Sequence, residues 1–247
     1  MQGVLSDVPE FAEKVVLDHP VNGLDILRDT SRPAKITTKK FRVVCAGCNN
    51  GWMSELEEGA RPLITKMIQG HRFVMDQKEQ TVLAKWCALK LIVSEHGPEC
   101  RPTTPFEDRN RLMERGEIPD YFRIYIGAQR TKAGTGYLRR TAIGSRPYQG
   151  VPELGDTAAN IQQTTFLLGK SFVHLNAVRV EGAEIEQQFF RRKIHKFGRL
   201  WPMETDRKKW PDKAIVNQSE LSSLANSWVE VRNRPNVVWA GDLPSVG

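Results

Sequence analysis

Apolar positions change their spacing along the chain, and those changes predict its elements. From Trp52 onward Met53, Leu56, Ala60, Leu63, Ile64 and Met67 recur every three or four residues, which places them on one face of a helix. Ser54 followed three residues later by Glu57 matches a capping box, and Pro62 is a point at which this helix divides in two. A second helix is predicted over 78–95, where Val82, Leu83, Trp86, Leu89 and Val93 keep the helical spacing and Gly97-Pro98 ends it. From Tyr121 the period shortens. The segments 121–126, 137–143, 164–168 and 172–180 are short, β-rich and separated by glycines, the pattern of an antiparallel sheet.

The flanks are less regular. Residues 1–40 are broken by Pro9, Pro20, Gly23 and Pro33 and read as an irregular lead-in. Phe41 to Val44 has the composition of a strand running into Cys45, and Asn49-Asn50-Gly51 supplies residues that tolerate left-handed backbone at a turn. Near the other end Trp201-Pro202 and Trp210-Pro211 flank a basic loop, and Ser219 to Val229 reads as a closing helix capped by Asn217 or Ser219. The fold class expected is α+β: helices in the segment 41–100 and an antiparallel-sheet accessory domain over 101–247.

Composition narrows the class of protein. A chain of 247 residues with 40% hydrophobic content can bury a real core, and no stretch approaches the roughly 18 apolar residues that a membrane span needs. The amino terminus has neither a basic start nor an apolar run, so no secretory or transit signal is read there, and a cytoplasmic location is the expectation. The net charge of +7 and the pI near 9.3 favour contact with polyanions. Basic residues cluster at Lys35, Lys39, Lys40 and Arg42; at Arg130, Lys132, Arg139 and Arg140; at Arg191, Arg192, Lys193, Lys196 and Arg199; and at Arg207, Lys208, Lys209 and Lys213. Any one cluster is equally well a solvated face. Lys39, Lys40, Arg42, Arg191, Arg192, Lys193 and Lys196 are the candidate nucleic-acid contacts.

Of the four cysteines, Cys45 and Cys48 form a C-x-x-C, whereas Cys87 and Cys100 stand apart, unlike the framework of a disulfide-stapled domain. Thiolates at this spacing can hold one structural zinc ion from a tight turn, but tetrahedral zinc needs two more ligands. Cys87, Cys100, His19, His71 and His96 are the candidates, none at knuckle spacing; reduced thiols are the alternative. Cys87 reads as a small buried hydrophobe. Trp52 and Met53 read as core, His96 as a residue at a helix carboxy terminus, His174 as a sheet-face residue and His195 as part of a basic patch.

The string from Val43 to Glu57, VVCAGCNNGWMSELE, resembles the second zinc knuckle and following helix of bacterial and phage HNH endonuclease-like proteins. The helix around Trp86 and the two Trp-Pro pairs are similar to the tail of the same proteins, so the likeness runs over roughly residues 40–230. The resemblance implies a ββα-metal unit whose helix is opened by Asn49, the closing residue of the HNH signature. It also implies metal-dependent phosphodiester hydrolysis with Mg²⁺ or Mn²⁺, with DNA as the partner and RNA as the alternative partner; no membrane partner is expected, since no apolar run is long enough to span one. In that family a first C-x-x-C and a Glu/Asp-His-x-x-Pro precede this knuckle, and neither is found as written. The nearest match is Asp18-His19-Pro20, with the proline immediately after the histidine, which makes His19 the candidate base and Asp18 its acidic neighbour. The expectation is therefore a truncated ββα-metal unit, lacking the family's ordinary amino-terminal half through a truncated gene or a late start, with nuclease activity incomplete or impaired. Two other classes remain open: a non-catalytic basic nucleic-acid-binding module, and a metal-free structural or interaction protein.

Overall fold

A computed structural model describes residues 44–96, 102–130, 135–144, 153–179, 197–212, 215–217, 219–221 and 237–238. The helices come first. α1 (Ala46–Asn50) is a single short turn, and α2 (Trp52–Gln69) follows directly, with Gly51 between them. Along α2 the buried residues are Ala60, Leu63, Ile64, Met67 and Ile68, the i, i+3, i+4, i+7, i+8 pattern of an amphipathic helix. Pro62 does not divide it. The proline lies on the exposed side, where the carbonyl left without a partner four residues earlier faces water. Ser54 and Glu57 lie inside the helix and form no capping box, because the chain is already helical from Trp52.

The capping box is found one helix later. After β1 (Phe73–Met75), α3 (Gln77–Ser94) begins with the Asp76 carboxylate accepting from the Glu79 amide at 2.8 Å, while the Glu79 carboxylate accepts from the Asp76 amide at 2.9 Å. α3 is buried nearly all round, from Gln80 and Leu83 to Trp86, Cys87, Leu91 and Ile92, as befits a helix with neighbours on several sides. Lys90 ties it to α2 through an ion pair with Glu57. A third long segment, α4 (Phe106–Arg115), ends at Gly116, whose φ of 64° is a left-handed cap.

The sheet contains β2 (Phe122–Ala128), β3 (Thr135–Gly144), β4 (Ile161–Leu168), β5 (Ser171–Val178), β6 (Gly198–Trp201) and β8 (Val237–Val238), in the order β6-β2-β5-β4-β3-β8 with every neighbouring pair antiparallel. β7 (Lys208–Trp210) pairs instead with β1 in a separate two-stranded ribbon. The four sequence-predicted strands correspond to β2, β3, β4 and β5. β4 and β5 are joined by Gly169-Lys170, in which Gly169 has φ 58°, and the Lys170 amide donates to the Ile68 carbonyl at the end of α2. The hairpin is thereby fastened to the helices.

Strand alternation sends Phe122, Ile124 and Ile126 of β2, Val173, Leu175 and Ala177 of β5, and Phe166 and Leu168 of β4 to the face that packs on α2 and α3. These side chains join Leu63, Met67, Leu83, Leu91 and Trp210 in one hydrophobic core, which runs across residue 100. Each large aliphatic or aromatic group in it contributes about 1.5–3 kcal/mol relative to exposure. The opposite face of the sheet is also buried but polar: Tyr125, Gln163, Thr165, His174 and Asn176 lie there beside Phe172. Asn217 caps the last described helical turn, accepting from the Glu220 amide at 3.0 Å; the rest of the predicted closing helix lies outside the described residues. Among the described residues no helix is long and apolar enough to cross a membrane.

Candidate functional site

The C-x-x-C occupies the start of the helical segment. Cys45 is the amino-terminal cap of α1, and its Sγ accepts from the Cys48 backbone amide at 3.3 Å. The helical turn Ala46–Asn50 brings the second thiol back toward the first. The Cys48 amide, and then the Cys48 thiol, hold the Cys45 thiol below its ordinary range. Serving as donor to Cys45 pushes the Cys48 thiol up. The two sulfurs thus converge at an open surface, Cys45 exposed and Cys48 half-buried, with the Met113 sulfur of α4 3.9 Å from the Cys48 sulfur. Backbone amides aimed at converging thiolates are what a zinc knuckle requires, so the pair fits two of the four ligands of structural zinc. No group of three or more metal-ligating side chains exists among the described residues.

The surroundings differ from the sequence expectation at two points. Val44 lies in a bend, and the turn through Asn49-Asn50-Gly51 is helical, with Gly51 at φ −96° and not left-handed. Cys45 takes the amide acceptor role that a turn would otherwise need, so the chain coils at once. As a consequence Asn49 does not open the long helix. It sits inside α1, exposed, with its amide bonded to the Cys45 carbonyl at 3.0 Å and its side chain donating to Asn50 at 3.3 Å.

Asp18, His19, Lys39, Lys40 and Arg42 lie outside the described residues, as do Arg191, Arg192, Lys193, Lys196, His195 and Cys100. Three basic residues of the sequence clusters that are described have structural partners. Arg139 is 4% exposed and donates to Gln162 at 3.0 Å; Lys208, also 4% exposed, faces Asp212 at 3.5 Å; Arg199 pairs with Glu204 at 2.8 Å. Cys87 is buried, and burial pushes its thiol up, as fits a core residue. Trp52 and Met53, expected in the core, are half-buried and belong neither to the hydrophobic core nor to the side chains packed against it.

A second polar assembly joins residues far apart in sequence. Glu95, fully buried at the end of α3, accepts from the amides of Thr103 and Thr104 at 3.0 Å each and from their hydroxyls at 2.7 and 2.8 Å. Gln162 meets the Thr103 hydroxyl, and Arg179 donates to the Thr103 carbonyl at 3.0 Å and the Ala159 carbonyl at 3.1 Å. Beside it, the His96 ring lies 3.0 Å from the Arg109 guanidinium, which also pairs with Asp156. Burial, and then the Arg109 charge, hold His96 below its ordinary value, so a charged imidazolium on the helix dipole is not what this position favours. Asp108 accepts from the Tyr121 hydroxyl at 2.8 Å, and burial followed by this bond pushes the phenol up. With both Glu95 oxygens engaged, the assembly fastens the end of α3 to the 102–105 segment and the sheet. No local motif announces it, because its members come from segments far apart in the chain.

Comparison with protein-family models, with curated proteins and with solved structures returns no match.

Proposed function

We propose that this chain is an HNH endonuclease-like nucleic-acid-binding protein in which Cys45 and Cys48 supply two ligands of a structural zinc site, with phosphodiester hydrolysis absent or impaired. The observation that carries the reading is the convergence of the two sulfurs under the Cys48 amide, at the mouth of the α1–α2 segment. Two further ligands complete the site, for which Cys100 and His19 are candidates. Bound zinc would neutralise both thiolates and fix the knuckle against α2; it would do no chemistry on a substrate. The positive charge of +7 supplies affinity for phosphates. Cleavage by the HNH route requires a histidine base and a hard cation such as Mg²⁺ or Mn²⁺ beside the phosphate, and no histidine is paired with Asn49 among the described residues.

Elemental analysis of the purified chain tests the site. One equivalent of zinc, lost on Cys48→Ser, is expected; no metal at all, with both thiols reactive, would favour a bare dithiol and remove the knuckle. Plasmid DNA incubated with Mg²⁺ or Mn²⁺ should stay uncut. Metal-dependent nicking abolished by His19→Ala would overturn the assignment of impaired catalysis.

A further inference from the structure

Strand alternation in the β1–β7 ribbon separates two neighbouring lysines. Lys208 points inward and meets Asp212, whereas Lys209 points outward, directly across from Val74. Arg72, two positions before Val74, comes to the same outward side. These residues, with Pro211 and Ile215, line a groove of about 490 Å³ that Phe73 and Trp210 also border. Its character is mixed in a specific way. Val74 is 42% exposed and Ile215 50% exposed, so apolar surface is open to water, while among the described residues the only charges lining it are the two cations. Neither Arg72 nor Lys209 forms an ion pair with any described residue, and a third cation, Lys66, stands 5.3 Å from the centre of the Phe73 ring.

We infer that this groove binds single-stranded nucleic acid, a reading that rests on the nucleic-acid assignment above and gives it a surface. Arg72 and Lys209 take two phosphates, and unpaired bases lie against Val74, Ile215 and Pro211. A single strand offers both chemistries, a polyanionic backbone and apolar base faces, whereas a duplex buries its base faces in its own stack and would leave the exposed apolar wall unused.

The test is fluorescence anisotropy of a labelled oligo-dT of about 20 nucleotides on the full chain, across a salt series starting near about 50 mM. Arg72→Ala/Lys209→Ala is expected to weaken binding about tenfold and to reduce the salt slope by about 1.4, since each single-strand phosphate contact contributes about 0.7. Val74→Asp, which puts a negative charge at a position already 42% exposed, should weaken it too. The charge-matched control Lys85→Ala/Arg115→Ala should leave affinity and slope unchanged. Wild-type protein that binds neither oligo-dT nor duplex DNA would overturn the nucleic-acid reading as a whole. Wild-type binding that survives the Arg72/Lys209 substitutions would overturn the groove alone. Duplex bound as tightly as oligo-dT, or oligo-dT displaced equally well by poly-glutamate, would overturn the single-strand assignment.

Discussion

Acidification through the ordinary histidine range should destabilise this protein, most strongly through His174. The residue is fully buried on the polar face of the sheet, its Nδ1 2.8 Å from the Thr165 hydroxyl and its ring 6.5 Å from that of Tyr125. Burial pushes its pKa down to about 3, against a smaller opposing effect from Asn176. In the unfolded chain the value is about 6.5. Above that value the imidazole is neutral in both states and the stability is fully present. Below it the unfolded chain takes up a proton that the folded chain refuses, so stability falls until the pH reaches the folded value. The slope approaches about 1.4 kcal/mol per pH unit, which amounts to about 2 kcal/mol between pH 8 and 5 and about 4 kcal/mol by pH 3. The first figure is a substantial part of a typical stability of roughly 5–15 kcal/mol.

Urea unfolding at a series of pH values from 8 to 5 measures the loss, and His174→Gln removes the titrating group while keeping a polar side chain. The difference between the two curves isolates His174 from His96, which burial and Arg109 also hold low. Wild type should lose about 2 kcal/mol more than the variant over this range. Parallel curves, or a His174 ring resonance that titrates near its ordinary value in the folded protein, would refute the reasoning.

Three further outcomes are expected. Glu95→Ala removes the acceptor for the buried amides of Thr103 and Thr104, at about 1–3 kcal/mol for each donor left unsatisfied, so chemical denaturation should show a loss on the order of 4 kcal/mol; under 1 kcal/mol would mean that the 102–105 segment re-forms its bonds elsewhere. Gly127→Ala would put a Cβ 2.4 Å from Cζ of buried Phe172, an overpacking cost of about 1–3 kcal/mol that Phe172→Leu in the same chain should partly relieve in a double-mutant cycle. Asp76→Ala removes one half of the α3 capping box and should cost about 1 kcal/mol, read as a lowered thermal midpoint; an unchanged midpoint would show that tertiary packing alone holds that end of α3.

The elements most legible in the sequence were those whose periodicity and burial agree. α2 and α3 carry their apolar residues at helical spacing, and β2 to β5 appear as β-rich runs, because in each the pattern is local. Pro62 misled because a sequence does not say which side of a helix faces water, and on the exposed side a proline is tolerated. Ser54 and Glu57 misled for a related reason: their spacing is right, but the chain had already become helical at Trp52. β6 and β7 were hidden by their length. A strand of three or four residues that ends at a Trp-Pro pair has too few positions to display a period, and its partner is chosen by tertiary contact.

The same distinction governs the sites. Cys45 and Cys48 could be found from sequence because a two-ligand turn is a local object, and the bonds that shape it span three residues. A basic cluster is not such an object. Among Arg207, Lys208 and Lys209 the sequence shows three equal charges, yet alternation in a strand gives them unequal fates: buried Lys208 pairs with Asp212, while Lys209 faces outward beside an apolar wall to which Val74, more than a hundred residues earlier, contributes. Charge at a site depends on which cations the fold leaves uncompensated, and that is decided by strand register. Shifting the β1–β7 pairing by one residue would bury Lys209, turn Lys208 to solvent and dismantle the groove without changing the net charge. Binding that tracked net charge alone would therefore be indifferent to Lys209, whereas binding through this groove requires it.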